Sequence, residues 1–151
     1  MANELPDMTL KAIGIVSNGI RERPEQGWSK VISDIVINSH LTEALDGLEE
    51  FSHIIVLYWI HWKATTRQVL MKIHPRHREE LPLVGLFATR SSDRPNLVGK
   101  ATARLLQRQG NVLKVQRLDA IDGTPVIDIK PYIPRDDMPT DVKVPQWVAK
   151  L

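Results

Sequence analysis

The 151-residue chain is long enough for one domain with a full hydrophobic core. Its 42% hydrophobic and 25% charged residues are ordinary for a globular protein, and no apolar run reaches the length of a membrane span. The chain has no cysteine, which excludes disulfides, zinc–thiolate sites and thiol nucleophiles, and its N-terminus lacks the apolar segment of a secretory signal. These features favour a cytoplasmic protein.

The net charge of +2 is unevenly placed along the sequence. Residues 62–78 contain five Lys or Arg and no acid, and residues 90–117 contain seven Lys or Arg and one acid, Asp93. Residues 119–141 reverse the sign, with six Asp. Such asymmetry is typical of a phosphate-binding face, but charges that balance in three dimensions would give the same pattern.

In chain order, residues 1–8 are expected to be a loose tail and residues 9–17 a first strand. Residues 18–29 contain Gly19, Pro24 and Gly27, which predicts a long irregular loop. A second strand follows at 30–37. Residues 41–48 place apolar side chains on one helical stripe and predict a short helix over a barrel end. The apolar, β-branched run 51–60 predicts a central strand.

The segment from 61 to 78 is basic and contains three histidines, of which His74 and His77 have a spacing that could suit a metal ion. Pro75 between them prevents a regular helical pair and no third ligand is near in sequence, so we expect no metal site. Trp62 could stack on a base or pack against a second subunit.

Residues 83–100, LVGLFATRSSDRPNLVGK, combine an apolar run with a polar loop. Residues 83–89 predict a buried strand. Residues 90–96 then bring together two guanidiniums, a carboxylate, an amide and two hydroxyls, and Pro95 stiffens the loop. Polar groups between two strands are typical of a ligand site, although a solvated hairpin turn is the alternative.

The second half of the chain predicts strands at 97–106, 112–118 and 125–129, with a turn at 109–111. Asp122-Gly123 is a strong hairpin signal. Four prolines between 131 and 145 favour an extended C-terminal tail over 131–151. The fold class is therefore mostly β: a single domain over 1–151, a closed or nearly closed β-barrel of about seven strands with one or two short helices.

Four segments, RPEQG (23–27), FSHIIVLYWIH (51–61), GLFATRSSDRPNLVG (85–99) and LDAIDGTPVIDIKPYIP (118–134), resemble in order the TrmO-like (YaeB/TsaA-like) family. The resemblance covers about residues 10–134. It implies a small β-barrel methyltransferase that uses S-adenosylmethionine, acts on threonylcarbamoyl-adenosine next to the tRNA anticodon, and completes its pocket as a homodimer.

The resemblance also implies the site residues. The cofactor is expected at Pro24, Glu25, Gln26, His61, Trp62, Arg90, Lys100, Leu118, Asp119, Ala120, Ile121 and Asp122. Substrate or subunit contacts are expected at Arg94, Asn96, Arg76 and Arg78. No metal is implied.

Several assignments within this set stay open. Asp119 is the candidate catalytic base, and Asp122 and Tyr132 are further candidates, but turn chemistry alone would explain both aspartates. Glu25 stands where the family more often has Arg, and Lys100 where it is usually apolar. A lysine near a sulfonium would repel it unless the side chain points away. A non-enzymatic S-adenosylmethionine-binding sensor on the same barrel is the alternative function.

Overall fold

The computed structural model describes residues 4–151 and contains eight strands in that range. They are β1 (Gly14–Ser17), β2 (Ile32–Ile37), β3 (His53–Trp59), β4 (Lys72–Ile73), β5 (Val84–Gly85), β6 (Val98–Gln109), β7 (Val112–Gln116) and β8 (Pro125–Pro131). One α-helical turn, α1 (Pro134–Asp137), follows. Short 3₁₀ helices occupy Ser39–Leu45, Leu48–Glu50, His61–Lys63, Pro75–His77, Leu86–Ala88 and Gln146–Lys150.

Six strands form a closed antiparallel barrel in the order β1-β2-β7-β6-β3-β8. Closure comes from β8, which pairs with β1 through Ile15↔Pro125 and with β3 through Val56↔Ile129. The two remaining strands, β4 and β5, form a separate two-stranded sheet. The predicted closed barrel is confirmed, and the expected strand count of about seven is close.

Successive side chains along each strand point alternately into and out of the barrel, and the inward ones fill its interior. Small inward residues on β6, Ala101 and Ala103, lie opposite large inward residues on β3 such as Ile54 and Val56, all almost fully buried. Burying a side chain of this size stabilises the fold by about 1.5–3 kcal/mol. The interior is thus a packed core, and a ligand site has to lie at a barrel end or outside it.

The predicted helix at 41–48 is instead two 3₁₀ segments, because Gly47 adopts φ 88° and breaks the run. Leu45 is buried, and Leu41 and Leu48 pack against the core. The segments connect the end of β2 to the start of β3 and so cover one end of the barrel.

The buried strand predicted over 83–89 is wrong. Only β5 is extended, the chain then enters a 3₁₀ turn, and Leu83 and Phe87 are 56% and 79% exposed. The partner strand β4 is two residues long, and beyond it the segment forms a further backbone hydrogen bond from the Leu86 N–H to the Met71 carbonyl at 2.9 Å before the chain turns away. The apolar composition here reflects a surface segment and not a core strand.

The hairpin predicted at Asp122-Gly123 is also wrong. A tight turn is present, with Gly123 at φ 79°, but the flanking strands β7 and β8 are not neighbours in the barrel. The Asp122-Gly123 dipeptide correctly predicted a tight turn, but the two strands that flank this turn do not pair with each other.

The two chain ends are mostly exposed. The tail predicted at 1–8 lies partly outside the described residues, and residues 4–8 have no regular structure. Residues 131–151 are largely irregular and exposed, apart from the end of β8, α1 and the last 3₁₀ turn, where Trp147 is half-buried. No helix within residues 4–151 is long and apolar enough to cross a membrane.

The register brings four separate segments to one end of the barrel. The pairs Ser17↔Asp34, Ile32↔Gln116, Trp59↔Val98 and Tyr58↔Val126 join the ends of β1, β3 and β7 to the starts of β2, β6 and β8. Loops 18–31, 60–63, 86–97 and 117–124 therefore share this end, which we call the loop rim.

Candidate functional site

The loop rim collects nearly every residue that the sequence singled out. Pro24, Glu25 and Gln26 lie on its first loop and His61 and Trp62 on its second. Arg90, Arg94 and Asn96 precede β6, and residues 118–122 follow β7. Segments far apart in sequence are thus joined by barrel topology, as a composite ligand site requires. Arg76 and Arg78 lie on the excursion between β4 and β5.

Asp119 is fixed at the rim by the one polar side chain of the β3 core face. The Tyr58 hydroxyl donates to Asp119 Oδ1 at 2.9 Å and to the Asp119 carbonyl at 3.2 Å. Asp119 is exposed as a residue, but partial desolvation of its carboxyl raises the carboxyl pKa, and the Tyr58 hydrogen bond and the charges of Arg23 and Arg90 oppose that rise. Burial, and then the Asp119 charge, raise the pKa of the Tyr58 phenol.

Asp122 has a different task. Its Oδ1 accepts the backbone N–H groups of Asn18 at 2.8 Å and Gly19 at 3.0 Å, and these bonds lower the pKa of its carboxyl. Asn18 Nδ2 donates in turn to the Ala120 carbonyl at 2.9 Å. Asp122 therefore clasps the 18–31 loop to the 117–124 loop, which supports the interpretation of Asp122 as turn chemistry.

Leu118 and Ala120 are buried in the core, and Ile121 is half-buried. The side chains of Leu118 and Ala120 belong to the core, so these two residues can offer a ligand only backbone groups. The Ala120 carbonyl is taken by Asn18, and the Ile121 carbonyl accepts the Thr124 hydroxyl at 2.7 Å.

His61 holds an unsatisfied polar atom at the rim. Its Nδ1 is buried and has no hydrogen-bond partner among residues 4–151. Buried polar atoms in native proteins are almost always paired, so an unpaired one beside a loop cluster marks the place of a ligand group. Trp62, next in sequence, is 50% exposed, and the Lys63 ammonium lies 5.2 Å from the centre of its ring.

The loop before β6 is held by its own charges. Arg94 donates to the Thr89 carbonyl at 2.9 Å and lies 5.7 Å from the Phe87 ring, while Asp93 pairs with Lys63 at 3.1 Å. Arg94 is thus engaged within the loop. Arg90 is exposed, and its charge reaches Asp119. Asn96 is exposed in the turn before β6.

The two basic residues on the excursion differ. Arg78 is bound to Glu80 and to the Lys150 carbonyl, which ties the C-terminal segment to this excursion. Arg76 is exposed and has a left-handed backbone, φ 54°. Of the pair, only Arg76 is available to a partner.

Two adjoining depressions open at the rim. The larger, about 490 Å³, is lined by Pro24, Glu25, Gln26, Gly27, Ser29, Lys30 and Val31. The smaller, about 290 Å³, is lined by Trp28, Ser29, Lys100, Ala101, Thr102, Arg117 and Asp119. They share Ser29 and are therefore neighbours. Within residues 4–151, no group of three or more His, Cys, Asp or Glu is placed to hold a metal ion.

Four contributors were missed by the sequence analysis: Arg23, Trp28, Tyr58 and Arg117. Arg23 adjoins the recognised Pro24–Gln26 segment, and Tyr58 is the one hydroxyl within an apolar strand, so both carried a signal. Arg117 belongs to the basic stretch 90–117 but was not singled out within it, and Trp28 carried no signal, because only the barrel register brings the two beside Lys100.

The fold and rim define a small β-barrel with a composite ligand site. Residues 18–138 match the family described as the tRNA-methyltransferase O N-terminal domain, and the chain belongs to this TrmO-like family. An Archaeoglobus fulgidus protein named S-adenosyl-L-methionine-binding protein is 41% identical over 134 residues, which cover 86% of this chain and 93% of that protein. A Mus musculus protein named tRNA (adenine(37)-N6)-methyltransferase is 42% identical over 101 residues.

A crystal structure of TrmO superposes with a TM-score of 0.73 at 29% identity, covering 92% of this chain. The chain spans 64% of that TrmO chain and 23% of the mouse protein. It also spans 37% of a second A. fulgidus relative that is 40% identical and named a probable S-adenosyl-L-methionine-binding protein.

Proposed function

We propose that the protein binds S-adenosylmethionine at the loop rim and transfers its methyl group to threonylcarbamoyl-adenosine next to the tRNA anticodon. The observation that carries the proposal is the convergence of four sequence-distant loops on one barrel end, with an unpartnered His61 Nδ1 among them. The family membership and the names of the relatives supply the chemistry.

The rim residues fit this cofactor. Arg90, exposed and close enough for its charge to act on Asp119, can take the cofactor's carboxylate in a bidentate pair. His61 Nδ1 can pair with a polar group of the ligand. The turn at 119–122 can offer backbone N–H groups to the adenine, since the Ala120 and Ile121 carbonyls already accept hydrogen bonds within the protein. Pro24, Glu25 and Gln26 line the larger depression, and Trp62 is an exposed aromatic side chain on another loop of the rim.

When bound, the cofactor supplies an electrophilic methyl group. The protein has to orient the acceptor nitrogen, exclude water and accept a proton. Asp119 suits the last task, because Tyr58 fixes one of its oxygens and leaves the other free, and because a partly desolvated carboxylate is a stronger base. Asp122 is occupied by Asn18 and Gly19 and serves as a structural clasp.

We further propose a cytoplasmic homodimer, in which a second subunit covers the rim. Trp62, Phe87 and Met71 are large apolar side chains exposed near this end. Aromatic and Met side chains are enriched at interfaces. A monomeric mass by light scattering at micromolar concentration, with cofactor present, would contradict the dimer.

The test of the activity is the transfer of labelled methyl to tRNA that carries threonylcarbamoyl-adenosine, against tRNA that lacks it. We expect transfer to the first alone. Arg76→Ala should weaken tRNA binding and lower its salt slope by roughly 0.7 per lost phosphate contact, with cofactor affinity unchanged. Cofactor binding without transfer to either tRNA, and without salt-sensitive tRNA binding, would favour the non-enzymatic sensor.

A further inference from the structure

The smaller depression has a different chemical character from the larger one. The larger depression is lined by the 24–31 loop alone, whereas the smaller one joins that loop to β6 and to the end of β7. Its volume of about 290 Å³ is at the low end for ligand pockets and suits one nucleotide-sized group. Asp119 lies in its wall, so a group held here would be next to the candidate base.

Two cations without partners flank this depression. Lys100 points outward on β6, between the buried Gly99 and Ala101, and Arg117 follows β7 in a left-handed conformation with φ 73°. Within residues 4–151, neither side chain forms an ion pair or hydrogen bond. By contrast, Lys114 on the neighbouring strand pairs with Asp34 at 3.0 Å.

The third component is aromatic. Trp28 is half-buried and lines the same depression, with the hydroxyl residues Ser29 and Thr102 beside it. An aromatic platform next to unpaired cations is the arrangement that single-stranded nucleic acid uses, with a base stacked on the ring and phosphates on the cations. The only acid in the wall, Asp119, is already held by Tyr58.

We propose that this depression is the acceptor-side subsite, in which Trp28 stacks on one base of a single-stranded RNA loop and Lys100 and Arg117 bind its flanking phosphates. The inference rests on the proposed function and names the residues that would hold the RNA beside the cofactor. It also accounts for a lysine close to a sulfonium, because the Lys100 ammonium is directed to the RNA phosphates.

The experiment measures binding of a fluorescently labelled anticodon stem-loop RNA to the full chain by anisotropy, over a series of salt concentrations. Lys100→Ala and Arg117→Ala should each weaken binding and lower the slope of log affinity against log salt by roughly 0.7. Trp28→Ala should weaken binding about tenfold at every salt concentration and leave the slope unchanged. Lys11→Ala is the matched control, because Lys11 is exposed and precedes β1 at the opposite end of the barrel.

Each variant is first checked for an unchanged melting temperature, and Lys100→Gln or Arg117→Gln replaces the alanine variant at the same position if that variant fails. Cofactor titration of Arg117→Ala separates this inference from the proposed function, and its cofactor affinity should match that of the unmodified protein. One outcome would overturn the subsite and leave the proposed function intact. In that outcome the unmodified protein transfers methyl, and Lys100→Ala, Arg117→Ala and Trp28→Ala all bind RNA with its affinity and salt slope. No salt-dependent RNA binding, or equal competition by polyglutamate, would also overturn it.

Discussion

The Tyr58 hydroxyl lies 2.9 Å from Asp119 Oδ1, so the last core residue of β3 is bonded directly to the loop after β7. The Tyr58 ring closes the barrel interior at this end, where it is 6% exposed. Gly99 on the paired strand leaves room for it, since a Cβ there would overlap the ring. The core thereby determines where the candidate base stands.

Tyr58→Phe tests this link. The Tyr58 hydrogen bond holds the pKa of Asp119 down against the effect of burial, so its loss should raise that pKa further. If Asp119 is the base, the acid limb of the methyl-transfer pH profile should move to higher pH. Tyr132→Phe is the control, because Tyr132 contacts His53 away from the rim. An unchanged acid limb in Tyr58→Phe would show that Asp119 is not the titrating group.

Asp119→Asn should separate stability from activity. Burial raises the folded-state pKa of Asp119, so its native-state stabilisation is full below the unfolded pKa of about 3.9 and is lost as pH rises through the folded value. Asp119 is exposed as a residue, so the effect should be small: at neutral pH, Asp119→Asn should melt at a slightly higher temperature than the unmodified protein, and the difference should vanish in acid. Methyl transfer should be lost. A variant that melts lower at neutral pH would contradict this account.

Gly99→Ala should destabilise the barrel by overpacking. The added methyl would collide with the Tyr58 ring, and forced repacking of this kind costs about 1–3 kcal/mol. Urea denaturation measures the change. Gly85→Ala is the control, since a Cβ at Gly85 meets nothing within 4 Å and its φ is −59°. Equal stability of the two variants would mean that Tyr58 does not pack against β6.

Asp122→Asn tests the clasp between the two loops. The backbone N–H groups of Gly19 and Asn18 lower the pKa of Asp122, so its contribution is present above the unfolded pKa and is lost as pH falls through the folded value. The variant should melt lower at neutral pH, and the difference should shrink in acid. Hydrogen exchange should be faster across residues 18–31. Asp141→Asn, an exposed change in the C-terminal segment, should show neither effect.

The sequence predicted the barrel because alternation and β-branched content are local signals that survive folding. The sequence-based prediction failed where the structure of a segment depends on which other strand it pairs with. Residues 83–89 are apolar, but β4 offers only two residues to pair with, and Asp122-Gly123 makes a turn between strands that never meet. Strand pairing depends on the arrangement of the whole barrel and cannot be predicted from either segment alone.

For the site, too, local motifs were predictive and contacts that depend on the fold were not. Family motifs predicted the rim segments, and the structure brings Arg90 and Asp119 close enough for their charges to interact. The motif did not show that Arg94 is engaged with its own loop, because that depends on the carbonyl of Thr89. The motifs also did not identify Trp28 and Arg117 as site residues, because these line the same depression as Lys100 only through the barrel register.

Calorimetric titration of S-adenosylmethionine into the unmodified protein and into Arg90→Ala tests the central claim, that the loop rim is the cofactor site. We expect saturable heat and a raised melting temperature for the unmodified protein, and a large loss of affinity in Arg90→Ala without loss of RNA binding. No heat and no thermal shift at millimolar cofactor, or equal affinity in both proteins, would contradict it.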